Sequence, residues 1–133
     1  MPIHGHGIDL VQTRRIARML EAHGERFLCR CFTDAERAYA AANAKRQIEH
    51  LAGRFAAKEA VLKALGTGWS GGIAWTEVEI VRPSAQRTAP PTVRLHGRAE
   101  AVARAAGITH WWLSISHVSD HALASAIAAT DDP

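Results

Sequence analysis

Residues 53–68 place a carboxylate where a helix ought to be apolar. At about 100° per residue, Ile48, Leu51, Ala52, Phe55 and Leu62 fall on one stripe of a helix that stops at Gly66. A long helix with such a stripe must be covered by other elements, so it constrains the fold more than any other segment. Glu59 projects into this stripe, between Phe55 and Leu62. A carboxylate taken from water has to be paired, hydrogen-bonded or bound to a cation. Lys63, at i+4, offers a structural ion pair. The other reading is a metal or phosphate site whose ligand is shielded from solvent.

The 133 residues suit a single domain, 1–133, able to bury a core unaided. Apolar content of 47% and charged content of 22% are those of a soluble globular protein. No apolar run reaches membrane-spanning length, and Met1-Pro2-Ile3-His4 lacks a signal-peptide pattern, so the expected location is the cytoplasm with no membrane partner. Cys29 and Cys31 stand too close for an unstrained bridge and read as free thiols of a reducing compartment. The net charge of +3 is concentrated in two places. Arg14, Arg15 and Arg18 share one predicted helix; Lys45, Arg46 and Arg54 surround the start of the long one. Nucleic acid, a nucleotide or an acidic protein all fit such patches, but no zinc-finger or RNA-binding signature is present.

The pattern of elements is α+β. Residues 3–10 read as a strand with Gly5, Gly7 and Asp9 on one face, the glycines leaving room for close approach to the backbone. Thr13 is the expected N-cap of a helix carrying Ile16, Met19, Leu20 and His23. Thr33 and Glu36 have the spacing of a capping box and open a helix through about Asn43. After a glycine-rich turn at 68–72, residues 73–81 read as a strand ended by Pro83, and 92–96 as a second one. Residues 97–107 are helical, 111–117 and 122–128 form a hairpin, and 131–133 a frayed tail. His4 and His6 share a strand face without a third metal ligand in view.

Three blocks in this order resemble the holo-acyl-carrier-protein synthases, the short bacterial class of 4′-phosphopantetheinyl transferase. They are Gly5-His6-Gly7-Ile8-Asp9-Leu10-Val11, residues 54–64 around Lys58-Glu59-Ala60 and continuing through Gly66-Thr67-Gly68, and Ser116-His117. Val118 departs from the small polar residue common after the last block. The resemblance spans the whole chain. It implies an α+β phosphopantetheinyl transferase fold, a small antiparallel sheet packed on a long helix, assembled as a homotrimer with an active site at each interface.

The implied reaction moves the 4′-phosphopantetheine arm of coenzyme A to a serine of apo-acyl carrier protein and releases adenosine 3′,5′-bisphosphate. Asp9 and Glu59 match the family's magnesium carboxylates, with Mn²⁺ a possible substitute, and breaking a pyrophosphate bond calls for such charge neutralisation. Lys63 matches the lysine near the transferred phosphate. Glu59 itself or a water on the metal would deprotonate the serine. Lys45, Arg46, Arg54 and His117 resemble coenzyme A contacts. Gly66 would bring backbone close to the nucleotide, although a helix stop needs the same glycine. Arg14, Arg15 and Arg18 lie on the helix that docks the acidic carrier protein. A non-catalytic nucleotide-binding module and a nucleic-acid-binding domain are the competing classes. The combination of Asp9, Glu59 and Lys63 argues against the first, and salt-sensitive binding of any sequence would mark the second.

Overall fold

A computed structural model describes residues 1–68, 71–82 and 89–131. The chain runs β1 (Ile3–Gln12), α1 (Thr13–His23), α2 (Glu25–Cys31), α3 (Asp34–Ala41), a 3₁₀ turn (Ala44–Arg46) and α4 (Gln47–Leu65). A second 3₁₀ turn (Trp75–Glu77) leads into β2 (Val78–Val81), followed by β3 (Thr92–Leu95), α5 (Gly97–Ala105), β4 (Ile108–His117) and β5 (His121–Thr130). This is the expected α+β arrangement. Part of the 68–72 turn, the strand end at Pro83 and the last two residues of the tail lie outside the described residues.

One antiparallel sheet of order β1-β5-β4 lies against α4, and β2 pairs with β3 in a separate ribbon. Small residues make the helix–sheet contact possible. Along β5, Ala122, Ala124, Ala126 and Ala128 alternate inward and are fully buried, while Leu123 points out. On β1 the glycines do the same. A Cβ on Gly5 would stand 2.1 Å from the Ala64 carbonyl oxygen, and one on Gly7 1.9 Å from that of Ala60. The backbones of β1 and α4 are thus in direct contact, as the glycine spacing predicts.

Helix α4 is buried around most of its girth from Leu51 to Lys58, because α1, α3 and β2 cover the faces that the sheet does not. Leu51, Phe55 and Leu62 contribute about 1.5–3 kcal/mol each by their burial. Gly66 closes the helix at φ 87°, its N–H donating to the Leu62 carbonyl at 3.0 Å. The Thr33–Glu36 capping box opens α3 as expected.

Three local expectations change. Thr13 is the first residue of α1 rather than its cap; its hydroxyl donates to Ser119 O at 2.8 Å and its backbone N–H to Asp120 O at 3.0 Å, tying the helix to the β4–β5 turn. Gly24, at φ 53°, breaks the chain into a further helix, α2, that buries Phe27 and Cys31. The strand expected from residue 73 begins at Val78, after the 3₁₀ turn that holds Glu77 against the Ala74 N–H.

Candidate active site

The packing of β1 on α4 brings three sequence candidates together. Asp9 follows Gly5 and Gly7 on the inner face of β1 and is half-buried. Lys63 reaches it from α4: its Nζ donates to Ile8 O at 2.8 Å and to Asp9 Oδ1 at 3.3 Å. Glu59 lies one helical turn before Lys63 and is half-buried. The site therefore consists of two carboxylates from facing elements and one ammonium, at the edge of the core.

The fully buried charge in this helix is not Glu59 but its neighbour Lys58, which is 0% exposed. Lys58 Nζ pairs with Glu36 Oε1 at 2.8 Å and donates to the carbonyls of Trp75, at 3.1 Å, and Val78. Glu36 is equally saturated: besides the lysine it accepts from Thr33 N at 2.9 Å and Ile80 N at 2.8 Å. Burial lowers the Lys58 pKa, and the Glu36 charge opposes that shift. A single apolar stripe describes α4 poorly because the helix is covered on several sides, so the stripe gives no sign that Lys58 is buried.

A second cluster gathers at the start of α4. Tyr39, Asn43, Arg46, His50, Arg82 and His117 line a cavity of about 610 Å³. His117 Nδ1 is 3.4 Å from Glu49 Oε2. Arg54 is buried behind this cavity with its guanidinium 3.9 Å over the Tyr39 ring, and burial lowers its pKa. Of the expected coenzyme A contacts, Arg46 and His117 meet in the cavity and Arg54 backs its Tyr39 wall. Lys45 is exposed in the 3₁₀ turn and is not a lining residue, and Gly66 sits at the far end of α4. Tyr39, His50 and Arg82 were missed by the sequence reading, since no local pattern joins them.

A third cluster forms a basic cleft. Arg15, Arg26 and Arg30 line a cavity of about 390 Å³ together with Met19, Phe55 and Trp75. The Phe55 and Trp75 rings stack at 4.6 Å, and the Arg15 guanidinium lies 5.3 Å from the Phe55 ring centre. Arg14 turns instead to Gln12 Oε1, at 3.3 Å, and neither it nor Arg18 lines the cleft. Arg26 and Arg30 come from α2, the helix that the sequence pattern did not reveal.

Asp9 and Glu59 suit a hard cation. Magnesium is commonly held by one or two carboxylates plus waters and substrate phosphates. Among the described residues no cluster of three His, Cys, Asp or Glu side chains competes for a metal, and His6 bonds Ser125 Oγ at 2.9 Å on the outer sheet face.

The sequence model of the 4′-phosphopantetheinyl transferase superfamily matches residues 5–126. The chain belongs to that superfamily. Within it the chain is a phosphopantetheinyl transferase of the holo-acyl-carrier-protein synthase type, and hence an enzyme rather than a binding module. A holo-[acyl-carrier-protein] synthase of Koribacter versatilis is 44% identical over 125 residues, 94% of this chain and 97% of the relative. The crystal structure of the Neisseria meningitidis holo-[acyl-carrier-protein] synthase superposes with a TM-score of 0.82 at 32% identity, covering 96% of this chain and 99% of that one. A coenzyme A complex of the Helicobacter pylori holo-[acyl-carrier-protein] synthase gives 0.77 at 27% identity, covering 93% and 99%. In this transferase no helix among the described residues is long and apolar enough to cross a membrane.

Proposed function

We propose that this transferase moves the phosphopantetheine arm of coenzyme A to a serine of apo-acyl carrier protein, with Asp9, Glu59 and Lys63 at the reacting phosphates. The observation that carries the reading is the Lys63 ammonium, aligned on Asp9 one turn from Glu59 at a contact fixed by backbone packing. Mg²⁺, or Mn²⁺ in its place, held by the two carboxylates would neutralise charge on the pyrophosphate oxygens.

In the reaction the serine Oγ bonds to the β-phosphorus, and the bond from that phosphorus to the bridging oxygen breaks. Adenosine 3′,5′-bisphosphate leaves with the bridging oxygen. The serine proton passes to Glu59 or to water. Lys63, whose side chain is 54% exposed and so free to follow the substrate, offsets charge gathering on the phosphate oxygens. Arg46, His117 and the Arg54-backed Tyr39 wall would hold the nucleotide phosphates, with Lys45 and Gly66 reaching it from outside the cavity. The Arg15 cleft would receive the acidic carrier protein, with Arg14 and Arg18 adding long-range attraction.

Helical geometry supports a shared site. His50 and Glu59 are nine residues apart on α4, so they stand about 14 Å apart along the axis and roughly half a turn around it. One protomer thus offers its cationic cavity and its carboxylates on opposite flanks of the helix. A second copy can bring one against the other. Ile8, Leu10, Trp112 and Leu123 lie exposed on the outer sheet face, 39–63% accessible, and supply apolar surface for that contact. We take the assembly to be the homotrimer of the family and the compartment to be the cytoplasm, where Cys29 and Cys31 stay as free thiols.

The test is the intact mass of apo-acyl carrier protein incubated with enzyme, coenzyme A and Mg²⁺. The carrier should gain the phosphopantetheine arm, chelation should stop the gain, and Asp9→Ala and Glu59→Ala should each abolish it while remaining folded. Full transfer by either variant removes that residue from the site.

A further inference from the structure

The cavity at the start of α4 holds an imidazole with no assigned role. The His50 ring lies 5.0 Å from the Tyr39 ring and 6.1 Å from the His117 ring, centre to centre. Its Nδ1 is buried, and nothing among the described residues hydrogen-bonds to it. A buried ring nitrogen without a partner is costly to keep, whereas Glu36 and Lys58 in the same core are fully paired. His50 is half-buried and lines the open cavity, so a ligand there meets the edge of the ring that solvent still reaches rather than the buried Nδ1.

The groups facing His50 are mostly cationic. Arg46 comes from the turn before α4, Arg54 from the next turn of α4 and Arg82 from the residue after β2, and the His117 imidazole joins them from the end of β4. Tyr39 of α3 presents a neutral phenol, and Glu49 on α4 is the opposing carboxylate. Burial first, then Arg54, His117 and Arg46, push the His50 pKa below 6.5, with Glu49 acting the other way. At neutral pH the free enzyme therefore holds a neutral imidazole among cations. His117 differs in having the Glu49 carboxylate within 3.4 Å.

We propose that His50 is a ligand-binding residue of this cavity: it takes up one proton from solvent when a phosphate monoester dianion enters, and then donates a hydrogen bond to it. This rests on the reading of the cavity as the nucleotide site. A dianion reverses the field that keeps His50 neutral, so the imidazole binds a proton more tightly in the complex than in the free enzyme. Between the lowered free-state pKa and the raised bound-state one, binding consumes a proton. The dissociation constant therefore rises with pH across that window and levels off above it.

Adenosine 3′,5′-bisphosphate is the probe. Calorimetric titration at about pH 7.5, in buffers of different ionisation enthalpy, measures protons exchanged where the phosphate, with a second pKa of about 6, is already dianionic. The unsubstituted enzyme should take up part of a proton. His50→Gln should remove that uptake and weaken binding about tenfold at about pH 6.5, the size of one charge-assisted hydrogen bond, with a smaller loss at about pH 8.5. Independently of any variant, the His50 ring resonances of the unsubstituted enzyme should move to their protonated positions on saturation with the bisphosphate. Proton uptake that persists in His50→Gln, or a His50 ring that stays neutral in the complex, overturns the proposal. An unsubstituted enzyme that binds no bisphosphate overturns the nucleotide reading beneath it.

Discussion

Glu36→Gln tests whether the buried ion pair holds α4 to α3 and β2. The glutamate accepts from Lys58 Nζ, Thr33 N and Ile80 N, so it ties together the helix start, the β2 backbone and the ammonium. Gln presents one acceptor and one donor in place of two carboxylate oxygens, and it carries no charge. The Lys58 ammonium would keep the Trp75 and Val78 carbonyls but lose its counter-charge at 0% exposure. Breaking a buried pair from one side costs about 3–5 kcal/mol. In a chain of this size that corresponds to a fall in Tm of about 10–20 °C.

The assay is urea and thermal unfolding followed by circular dichroism, at one fixed protein concentration because an oligomer's Tm depends on concentration. Lys58→Met added to Glu36→Gln should restore about 1–3 kcal/mol, since it removes the stranded charge and fills its volume with an apolar chain. A loss below about 1 kcal/mol in Glu36→Gln would refute the reasoning. So would a double variant whose loss is the plain sum of the two single ones, because the pair would then be uncoupled.

Gly7→Ala should cost more than about 3 kcal/mol or prevent folding, because its Cβ would stand 1.9 Å from a helix carbonyl that cannot swing aside; a urea midpoint near that of the parent would contradict the contact. Burial pushes the Glu79 carboxyl up, but hydrogen bonds from Thr33 at 2.6 Å and His96 at 3.0 Å outweigh it and hold its pKa below 4.5. Its stabilising contribution is therefore complete above the unfolded value and lost as pH falls through the lower folded one. Across that acid window Glu79→Gln should lose less stability than the parent in urea titrations, and equal losses would remove Glu79 from the account. Arg15→Glu should raise the KM for apo-acyl carrier protein and leave that for coenzyme A nearly unchanged, whereas Arg14→Glu, outside the cleft, should do so more weakly. Equal effects of the two variants would mean that only net charge matters.

Much of the scaffold was legible because it rests on local rules. The β4–β5 hairpin, the glycines of β1, the Thr33–Glu36 box and the Gly66 stop all behave as their spacing requires. The features that escaped depend on neighbours far along the chain. Lys58 carries no local sign of burial; its partners Glu36, Trp75 and Val78 arrive from α3 and the β2 side. Tyr39, His50 and Arg82 come from three separate segments and meet each other and His117 only in the folded cavity. Helix α2 is seven residues long, too short for periodicity to stand out, and with it the cleft arginines Arg26 and Arg30 were hidden.

The same close packing that stabilises the sheet also sets the geometry of the proposed site. Gly5 and Gly7 rest on the carbonyls of Ala64 and Ala60, which flank Lys63 and follow Glu59 on α4. Asp9 is two residues beyond Gly7 on the same strand face, so backbone contact fixes where its Cα stands relative to α4. A methyl group at Gly7 would push β1 off the helix and move Asp9 with it. The Lys63–Asp9 contact is already 3.3 Å, so such a displacement stretches it toward the limit of hydrogen-bond range unless the half-exposed Lys63 chain swings after it. Stabilising changes elsewhere can restore the folded fraction of such a variant, but they cannot restore that separation. The glycines therefore belong to the site as much as to the core, although neither touches substrate.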